Sequence, residues 1–533
     1  MRGLTLLIPI SQLLTFQYAR SQMGKLFIFV VVVLNIVANF LGIGLNQPVS
    51  AQVGEYCQFE SEAIANKEKL RRLAFENIND LTAPQAYQEI LRQHRESLNN
   101  CRQKSWLKTQ GIWLRLYPCD LHSGKLDEVM DRIVNKGYNQ VFVEVHSNGK
   151  ILLPYAENIS AWESLVDSKQ YKNADLLKLA IDKGRARGLK VHAWLFTMNV
   201  GTGYGQGVDP QGLSKQTVAR QQAIARNGDG DNTVSIIENL GKNPESEVST
   251  KDQLFIDPYN YQAQKDLYLV VTEVLKRNPD GVVFDYVRYK RGAGAASVVN
   301  NIRYLWIYGE ASLQALRDRA KNFQGREIIN RFLRQGFITQ ADLQAAKKLY
   351  PQESEPLWQG RLPSNQSSNQ QKPAIAYWQN ELWRLAVGHA FIGITYFLDY
   401  VAKPVFREGI PVSIAFFSDG NQPVGNGFDS RMQPWHLFTR SYDWQPMAYA
   451  VCGKPDCIVA QVRKVFQSAP NGTKIAPILV GQWNEPFTNR PPLEVQMQAI
   501  RAAVPAIDSI SHFAFGWQTQ EVDFSRSRQV CKL

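Results

Sequence analysis

The sequence predicts an α/β fold, a single (β/α)8 TIM barrel with long insertions at its C-terminal face and a short helical segment before it. From Gly111 onward, eight short apolar runs alternate with helical patterns. A closed barrel of parallel strands joined by crossover helices has this alternation. An open doubly wound sheet has fewer strands and usually a glycine-rich nucleotide turn, and no good GxGxxG sequence follows the first run.

The eight apolar runs are the expected barrel strands. They are Gly111–Leu116, Val141–His146, Lys190–Phe196, Gly281–Tyr289, Pro411–Phe417, Trp444–Tyr449, Lys474–Val480 and Ser509–Trp517. The expected helices are Leu126–Lys136, Ala174–Arg187, Tyr261–Arg277, Trp378–Arg407, Cys457–Ser468 and Pro492–Val504. Apolar residues recur in these segments at helical spacing.

Two connections are longer than a barrel needs, one near residues 198–252 and one near 291–377. Both follow strands, so we expect both at the C-terminal face, where long loops usually build substrate grooves or lids. Residues 52–107 have charged and apolar residues at helical spacing and predict a helical segment ahead of the barrel, which spans 108–533.

The N-terminus has the pattern of an export signal over residues 1–51. Lys25 precedes an apolar stretch from Leu26 to Leu45, and Val49–Ala51 supplies the small residues that a signal peptidase prefers. Met23 is an alternative start. An uncleaved membrane anchor is the competing interpretation, since the stretch approaches spanning length. Either way, the rest of the chain is expected in the periplasm or outside the cell.

All six cysteines follow the export signal, and an even count in an exported chain suggests three disulfides. We expect Cys57–Cys101 across a helical hairpin and Cys452–Cys457 closing a loop. The remaining cysteines are Cys119 and Cys531. Zinc is a poor alternative, because the spacings do not form two CxxC-like clusters and few histidines are present.

Composition and motifs exclude several classes of function. The chain is 44% hydrophobic and 20% charged, as in globular proteins, and its net charge of +12 is spread along the sequence rather than run together. We interpret this charge as a solvated surface and expect no nucleic-acid partner. HExxH, GxSxG and Walker motifs are absent from the sequence, and we expect neither a metal nor a cofactor.

The strongest candidate for chemistry is Asp285, in the fourth apolar run. A strand period of two places Gly281, Val283 and Asp285 on one face. A carboxylate at the mouth of a barrel strand is costly to desolvate without a role or a partner. The alternative is a structural ion pair of Asp285 with Arg288 or with a base on a neighbouring strand.

Further candidates lie on the other runs. In the second run Glu144 and His146 share a face, and the lumen is the natural place for a Glu inside an apolar strand. In the third run His192 and Trp194 share a face. The later candidates are Asp419 after the fifth run, Tyr449 ending the sixth, Trp483 and Glu485 after the seventh, and Trp517 ending the eighth. For Asp419 a simple Asp-Gly turn is the alternative.

Several carboxylates with Trp and Tyr on one rim favour glycoside hydrolysis, in which one carboxyl protonates the leaving oxygen and another attacks the sugar or activates water. We expect Asp285 as nucleophile or base and Glu144 or Glu485 as acid. A non-catalytic glycan-binding barrel of the cell envelope is the main alternative. A structural envelope protein tethered by its helical segment is a third.

Four segments carry a resemblance to a known family, namely Gly111–Leu114, Gly184–Leu195, Phe255–Pro258 and Asp280–Tyr289. Together they resemble the glycosyl-hydrolase-like 10 family of bacterial TIM-barrel proteins, which are distinct from the xylanases. The resemblance covers roughly Thr109 to Gln518. It implies hydrolysis of glycosidic bonds in a polysaccharide, with a peptidoglycan-type cell-wall glycan or an exopolysaccharide as substrate.

The resemblance also assigns residues. The Asp of the fourth strand maps onto Asp285, its following Arg onto Arg288, and the Asp of the Asp-Pro segment onto Asp257. The expected substrate-binding residues are His146, His192, Trp194, Asp257, Arg288, Asp419, Tyr449, Trp483 and Trp517. The chain departs from the family pattern at Glu144, often Gln, at Met447, where a Gln is usual, and at Lys290, where a Pro is common.

Overall fold

The computed structural model describes residues 54–76, 82–147, 149–167, 171–234, 253–363 and 374–528. Within them, eight parallel strands close into a barrel, as predicted. The strands are β1 (Thr109–Leu114), β2 (Gln140–Glu144), β3 (Lys190–Phe196), β4 (Gly281–Asp285), β5 (Val412–Phe417), β6 (Asp443–Ala448), β7 (Ile478–Val480) and β8 (Ser509–Phe513). Each pairs with its neighbour in the chain, and β8 pairs with β1. The expected export signal lies outside the described residues.

Three strands are shorter than predicted by four residues each. β4 ends at Asp285 rather than Tyr289, because Tyr286 has a φ of +53° that no strand accommodates. β7 begins at Ile478 rather than Lys474, since Pro477 has no N–H to donate to the ladder. β8 ends at Phe513, and the chain turns into a short helix two residues later.

Helices connect most successive strands. Their bounds are α1 (Ser61–Glu76), α2 (Ala83–Lys104), α3 (Lys125–Asn135), α4 (Leu176–Ala186), α5 (Val218–Gln222), α6 (Tyr261–Leu275), α7 (Glu310–Arg317), α8 (Phe323–Gln335), α9 (Gln340–Leu349), α10 (Ile375–Arg407), α11 (Asp456–Ser468), α12 (Leu493–Ala503), α13 (Phe515–Gln518) and α14 (Gln520–Arg528). By length and composition alone α10 could cross a membrane, but it is half buried and packs against α6 as a barrel helix.

Both expected disulfides are confirmed. Cys57–Cys101 ties the segment before α1 to α2, and Cys452–Cys457 closes a short loop. Cys119 is also disulfide-bonded, while Cys531 lies outside the described residues. The buried Arg102 of α2 donates to the carbonyl oxygens of Gly137 and Tyr56 at 3.1 and 2.9 Å. These bonds fasten the N-terminal helices to the barrel.

Inward-facing side chains fill the barrel at three successive levels, two residues apart along each strand. The middle level is an apolar cluster of Trp113, Phe142, Trp194, Val283, Ala415, Met447 and Ile478. Below it, toward the amino ends, Gln140 and His192 join by a 3.0 Å hydrogen bond between their side-chain nitrogens. Above it lie the residues of the candidate site. The lumen is therefore a packed core, open only at the carboxyl ends.

Gly281 makes room for His192 at the lower level. A Cβ at position 281 would lie 2.3 Å from Nδ1 of His192, closer than any unstrained contact. We predict that Gly281→Ala lowers the free energy of unfolding by about 1–3 kcal/mol, the usual cost of overpacking a core. Urea unfolding curves measure this loss.

Gly388→Ala is the matched control, because a Cβ at that helical position meets nothing within 4 Å. Combining Gly281→Ala with His192→Ala should recover most of the loss in a double-mutant cycle. If Gly281→Ala lowers the free energy of unfolding equally in the parent and in the His192→Ala background, His192 is not the group that a side chain at position 281 displaces.

Candidate functional site

A cavity of about 140 Å³ opens at the carboxyl ends of the strands. It is lined by Trp113, Arg115, Trp194, Phe196, Asp285, Tyr286, Arg288, Phe417, Met447, Tyr449, Ile478 and Phe513. The middle level of the barrel forms its floor, and the residues one level higher form its walls. Trp194, Asp285, Arg288 and Tyr449 were predicted from the sequence as site residues, and the structure brings these four together.

Asp285 is the only carboxylate among the described lining residues of this cavity. Its Oδ1 accepts the backbone N–H of Tyr286 at 2.6 Å, and its Oδ2 accepts the indole N–H of Trp194 at 3.2 Å. Burial raises the pKa of Asp285, although these two hydrogen bonds and the charge of Arg288 act in the opposite direction. The arrangement holds the carboxyl in one orientation at the cavity wall.

Tyr286 holds a conformation that L residues rarely adopt, with φ at +53°. This turn directs the Tyr286 N–H to Asp285 and places the phenol ring in the cavity wall. The carbonyl oxygen of Asp285 accepts from the N–H and the hydroxyl of Thr197, at 2.9 and 2.7 Å, which anchors the turn to the end of β3. Strain of this kind concentrates at functional sites.

Glu144 lies beside the cavity, at the carboxyl end of β2, and is 4% exposed. Its Oε2 accepts from Nε of Arg115 at 2.6 Å, and Arg115 in turn lines the cavity. The charge of Glu144 raises the pKa of Arg115, more than burial lowers it. Glu144 and Arg115 are therefore a charged pair at the cavity wall.

Arg288 and Tyr449 complete the polar lining. Arg288 stacks on the ring of Tyr286, with its guanidinium carbon 4.6 Å from the ring centre. The Tyr449 ring contacts Phe417 and Phe513, and burial raises the pKa of its hydroxyl well above the ordinary value. Tyr449 therefore stays protonated and able to donate a hydrogen bond.

The structure does not bring His192 or His146 to the cavity lining, which corrects their expected placement. His192 points inward but lies one level too low, beneath Trp194, and burial lowers its pKa to about 4. His146 lies behind the cavity wall, between Trp162 and Phe196, with ring centres 5.0 and 6.1 Å away. Burial lowers the pKa of His146 to about 3, so both rings are neutral.

Asp257 and Asp419 also lie elsewhere. Asp257 is fully buried, and its carboxylate accepts the backbone N–H of Ser312 at 2.9 Å, which caps the start of α7. Burial raises the pKa of Asp257 to about 6. Asp419 is 42% exposed and pairs with Arg431 at 3.0 Å. Both acids have protein partners, and neither lines the Asp285 cavity.

Glu485 and Trp483 lie on the outside of the barrel. After β7 the chain turns away from the barrel axis, so Trp483 packs on Tyr56 and donates to the hydroxyl of Tyr138 at 3.3 Å. Glu485 is exposed in a shallow depression beside Gln58, and it does not line the Asp285 cavity. Its expected place on the rim is corrected. Trp517 touches the cavity only indirectly, through its edge-to-face contact with Phe513.

Sequence reasoning missed Arg115 and Tyr286. Arg115 continues the inward alternation of β1 one step beyond the strand, and that signal was available. Tyr286 has the wrong parity for an inward residue and reaches the cavity only because of its positive φ, which the sequence does not show. Among the described residues, no group of three or more His, Cys, Asp or Glu is placed to bind a metal.

The raised pKa of Asp285 predicts a pH-dependent stability. Its protonated form favours the folded chain, a contribution that is complete below the ordinary pKa of about 3.9 and is lost as pH rises through the raised pKa. Asp285→Asn is neutral at every pH. Its melting temperature should therefore rise relative to the parent as pH increases above about 3.9, the ordinary pKa of an aspartate.

Differential scanning fluorimetry across this range measures the trend. Asp508→Asn, at an exposed position, is the control and should follow the parent at every pH. A difference between Asp285→Asn and the parent that stays constant, or falls, as pH rises would contradict the raised pKa.

Comparison with known proteins agrees with the family resemblance of the sequence motifs. Residues 106–335 match the family model described as Glycosyl hydrolase-like 10, a span that includes Arg115, Glu144, Asp285 and Arg288. Glycosyl hydrolase DigH of Escherichia coli (strain K12) is 27% identical over 198 residues, 37% of this chain and 40% of the relative. DigH of Shigella flexneri gives the same values. The chain thus spans about two fifths of the length of the curated relatives it matches.

Solved structures with a likeness to the chain are more distant. A GH20 exo-β-N-acetylglucosaminidase from Vibrio harveyi, in complex with N-acetylglucosamine, has a TM-score of 0.34 at 10% identity and covers 79% of this chain and 53% of its own. A GH18 chitinase from Pseudoalteromonas aurantia has a TM-score of 0.34 at 10% identity, and the match covers 79% of this chain and 99% of the chitinase. The fold rests on the strand pairing described above. The resemblance inferred from the motifs is confirmed over residues 106–335, which match the glycosyl hydrolase-like 10 family model.

Proposed function

We propose that the protein is an exported glycoside hydrolase that cleaves glycosidic bonds in a cell-wall glycan or exopolysaccharide, with Asp285 as its catalytic carboxyl group. One observation carries the proposal. A buried carboxyl group, fixed by two N–H donors, projects into an aromatic cavity at the catalytic end of a barrel.

The environment of Asp285 suits a general acid. Burial raises its pKa, so a larger fraction carries a proton near neutral pH than for an ordinary aspartate. Protonation of the leaving glycosidic oxygen needs such a group. The hydrogen bonds from Trp194 and Tyr286 then stabilise the carboxylate that remains after the proton has moved.

Glu144 is the second carboxylate of the proposal. An arginine partner favours the ionised form of a carboxylate, and Arg115 lies 2.6 Å from Glu144. An ionised Glu144 would attack the anomeric carbon or activate a water molecule. These roles are the reverse of those expected from the sequence. Both acids are buried, but Glu144 is in direct contact with Arg115, whereas Asp285 has no ion pair among the described residues.

Aromatic lining supports a sugar as the ligand. Trp113, Trp194, Phe417 and Phe513 give the cavity apolar faces that stack on sugar rings, and Tyr449 offers a protonated hydroxyl to a sugar oxygen. The two disulfides among the described residues support export, since disulfides persist mainly outside the cytoplasm.

Binding of a glycan without cleavage is the second candidate function. Of the residues that the structure describes, a single carboxylate lines the cavity, whereas hydrolysis uses two. Glu144 must therefore reach the substrate past Arg115 for hydrolysis to proceed, and the experiment below separates the two functions.

The test compares the mature protein with Asp285→Asn and Glu144→Gln on purified peptidoglycan, both denuded of peptides and intact, with released fragments read by mass spectrometry. Loss of a general acid typically lowers the rate by about 10²–10⁴-fold, and we expect a loss of this order for Asp285→Asn. Proton NMR of the first product reveals whether the anomeric configuration is retained or inverted.

Glu485→Gln is the matched control, because Glu485 is exposed outside the cavity and its loss should leave the rate unchanged. A folded Asp285→Asn with the parental rate would contradict the proposal. If neither the parent nor Asp285→Asn releases fragments, and both still bind the glycan, the glycan-binding function is favoured instead.

A further inference from the structure

We infer that the cavity binds a sugar carrying a free carboxylate, and that the guanidinium of Arg288 receives this carboxylate. The inference rests on the proposed function, since it names the substrate class of the same site.

The contacts of Arg288 leave most of its donors unused. The side chain lines the cavity and is 8% exposed. One hydrogen bond holds it, from Nη1 to the carbonyl oxygen of Tyr289 at 3.0 Å, while its buried Nε has no partner. A guanidinium has five N–H donors, so Arg288 has capacity for a ligand with two acceptor oxygens.

Aromatic rings, rather than a carboxylate, surround Arg288. Its guanidinium carbon lies 4.6 Å from the ring centre of Tyr286, 5.5 Å from Phe417 and 6.0 Å from Phe255. Within the described part of the chain, no carboxylate oxygen lies within 4.0 Å of its nitrogens. The rings fix the plane of the guanidinium and exclude water from it, but they do not neutralise its charge.

Three other buried arginines of this protein bind carboxylate, backbone or amide oxygens through most of their guanidinium group. Arg187 pairs with Asp127 and Asp131 at 2.9 and 2.7 Å. Arg526 pairs with Asp120 at 2.7 Å. Arg102, which lacks a carboxylate partner, donates to backbone and amide oxygens along most of its guanidinium. Arg288 differs from all three, and it lies where a ligand enters.

Among the described residues that line the cavity, Arg288 is a cation without a carboxylate partner. Arg115 is paired with Glu144, and Arg431, the cation behind Phe417, is paired with Asp429 and Asp419. Asp285 faces the same cavity, but its oxygens are taken by Trp194 and Tyr286. A ligand with a single negative charge therefore balances the site.

A carboxylate fits Arg288 in both charge and shape. The planar fork of an arginine binds two carboxylate oxygens through parallel N–H bonds. A buried charge without a partner is unfavourable, so an anion that completes the pair gains more here than at the surface. A sulfate ester on a sugar has the same single charge and is the other source to distinguish.

The experiment measures dissociation constants by saturation-transfer NMR, with the mature protein and single sugars as probes. Glucuronate and N-acetylmuramate carry a carboxylate, glucose and N-acetylglucosamine are their neutral counterparts, and N-acetylglucosamine 6-sulfate carries the sulfate. We expect at least one carboxylate sugar to bind about tenfold or more tightly than its neutral counterpart. Arg288→Gln should abolish this preference, and Arg288→Lys should retain part of it, because Lys keeps the charge and loses the fork.

Arg384→Gln is the matched control, since Arg384 is a 73% exposed arginine on α10 and its loss removes the same charge. Melting temperatures show whether each variant is folded. Equal affinity for acidic and neutral sugars, no saturable binding of either acid, or a preference that survives Arg288→Gln would each overturn the inference. A preference for the sulfated sugar would overturn the carboxylate assignment.

These measurements need no hydrolysis, so the two proposals fail separately. Asp285-dependent cleavage of a glycan, without any preference for acidic sugars, would retain the proposed function and overturn the inference. Arg288-dependent binding of an acidic sugar by a protein that cleaves nothing would support the inference and contradict hydrolysis.

Discussion

The hydrogen bond from the Trp194 indole to Asp285 joins the packed core of the barrel to its chemistry. Trp194 belongs to the apolar middle level and contacts Trp113 edge to face at 4.8 Å, so its ring has little freedom. The same ring forms part of the cavity floor. Because the donor is fixed by packing, the position of the Asp285 carboxyl is set by the core rather than by a mobile loop. The filled lumen also confines any ligand to the carboxyl ends of the strands.

Asp285 and Arg288 face one cavity without forming an ion pair, and this separation shapes the chemistry. A direct pair would hold Asp285 as a carboxylate and occupy the fork of Arg288. Instead, burial raises the pKa of the acid and lowers the pKa of the base. Burial thus disfavours the charged form of each group. The sequence left a structural Asp285–Arg288 pair open as an alternative, and the described residues do not form it.

Much of the fold, but only part of the site, was predictable from the sequence. Alternation of apolar runs and helices identified all eight strands, and a period of two identified Asp285 and Trp194. The strand period of two predicts which face of the sheet a side chain lies on, but not its level along the barrel axis. His192 was therefore predicted at the cavity although it lies one level below it. The period also does not show where the chain leaves a strand. Glu485 was misplaced because the chain turns outward after Val480, and Tyr286 was missed because its turn depends on contacts with β3.

Three unfavourable features of the described barrel lie within four successive residues. Asp285 is a buried acid with a raised pKa, Tyr286 has a positive φ, and Arg288 is a buried cation without a carboxylate partner. Arg187 and Arg526, by contrast, have paired charges. Local strain and unsatisfied charge persist in a fold when the surrounding structure holds them in place and function requires them. The segment from Asp285 to Arg288 meets the first condition, since β3 and the core fix its position, and its polar groups face the cavity.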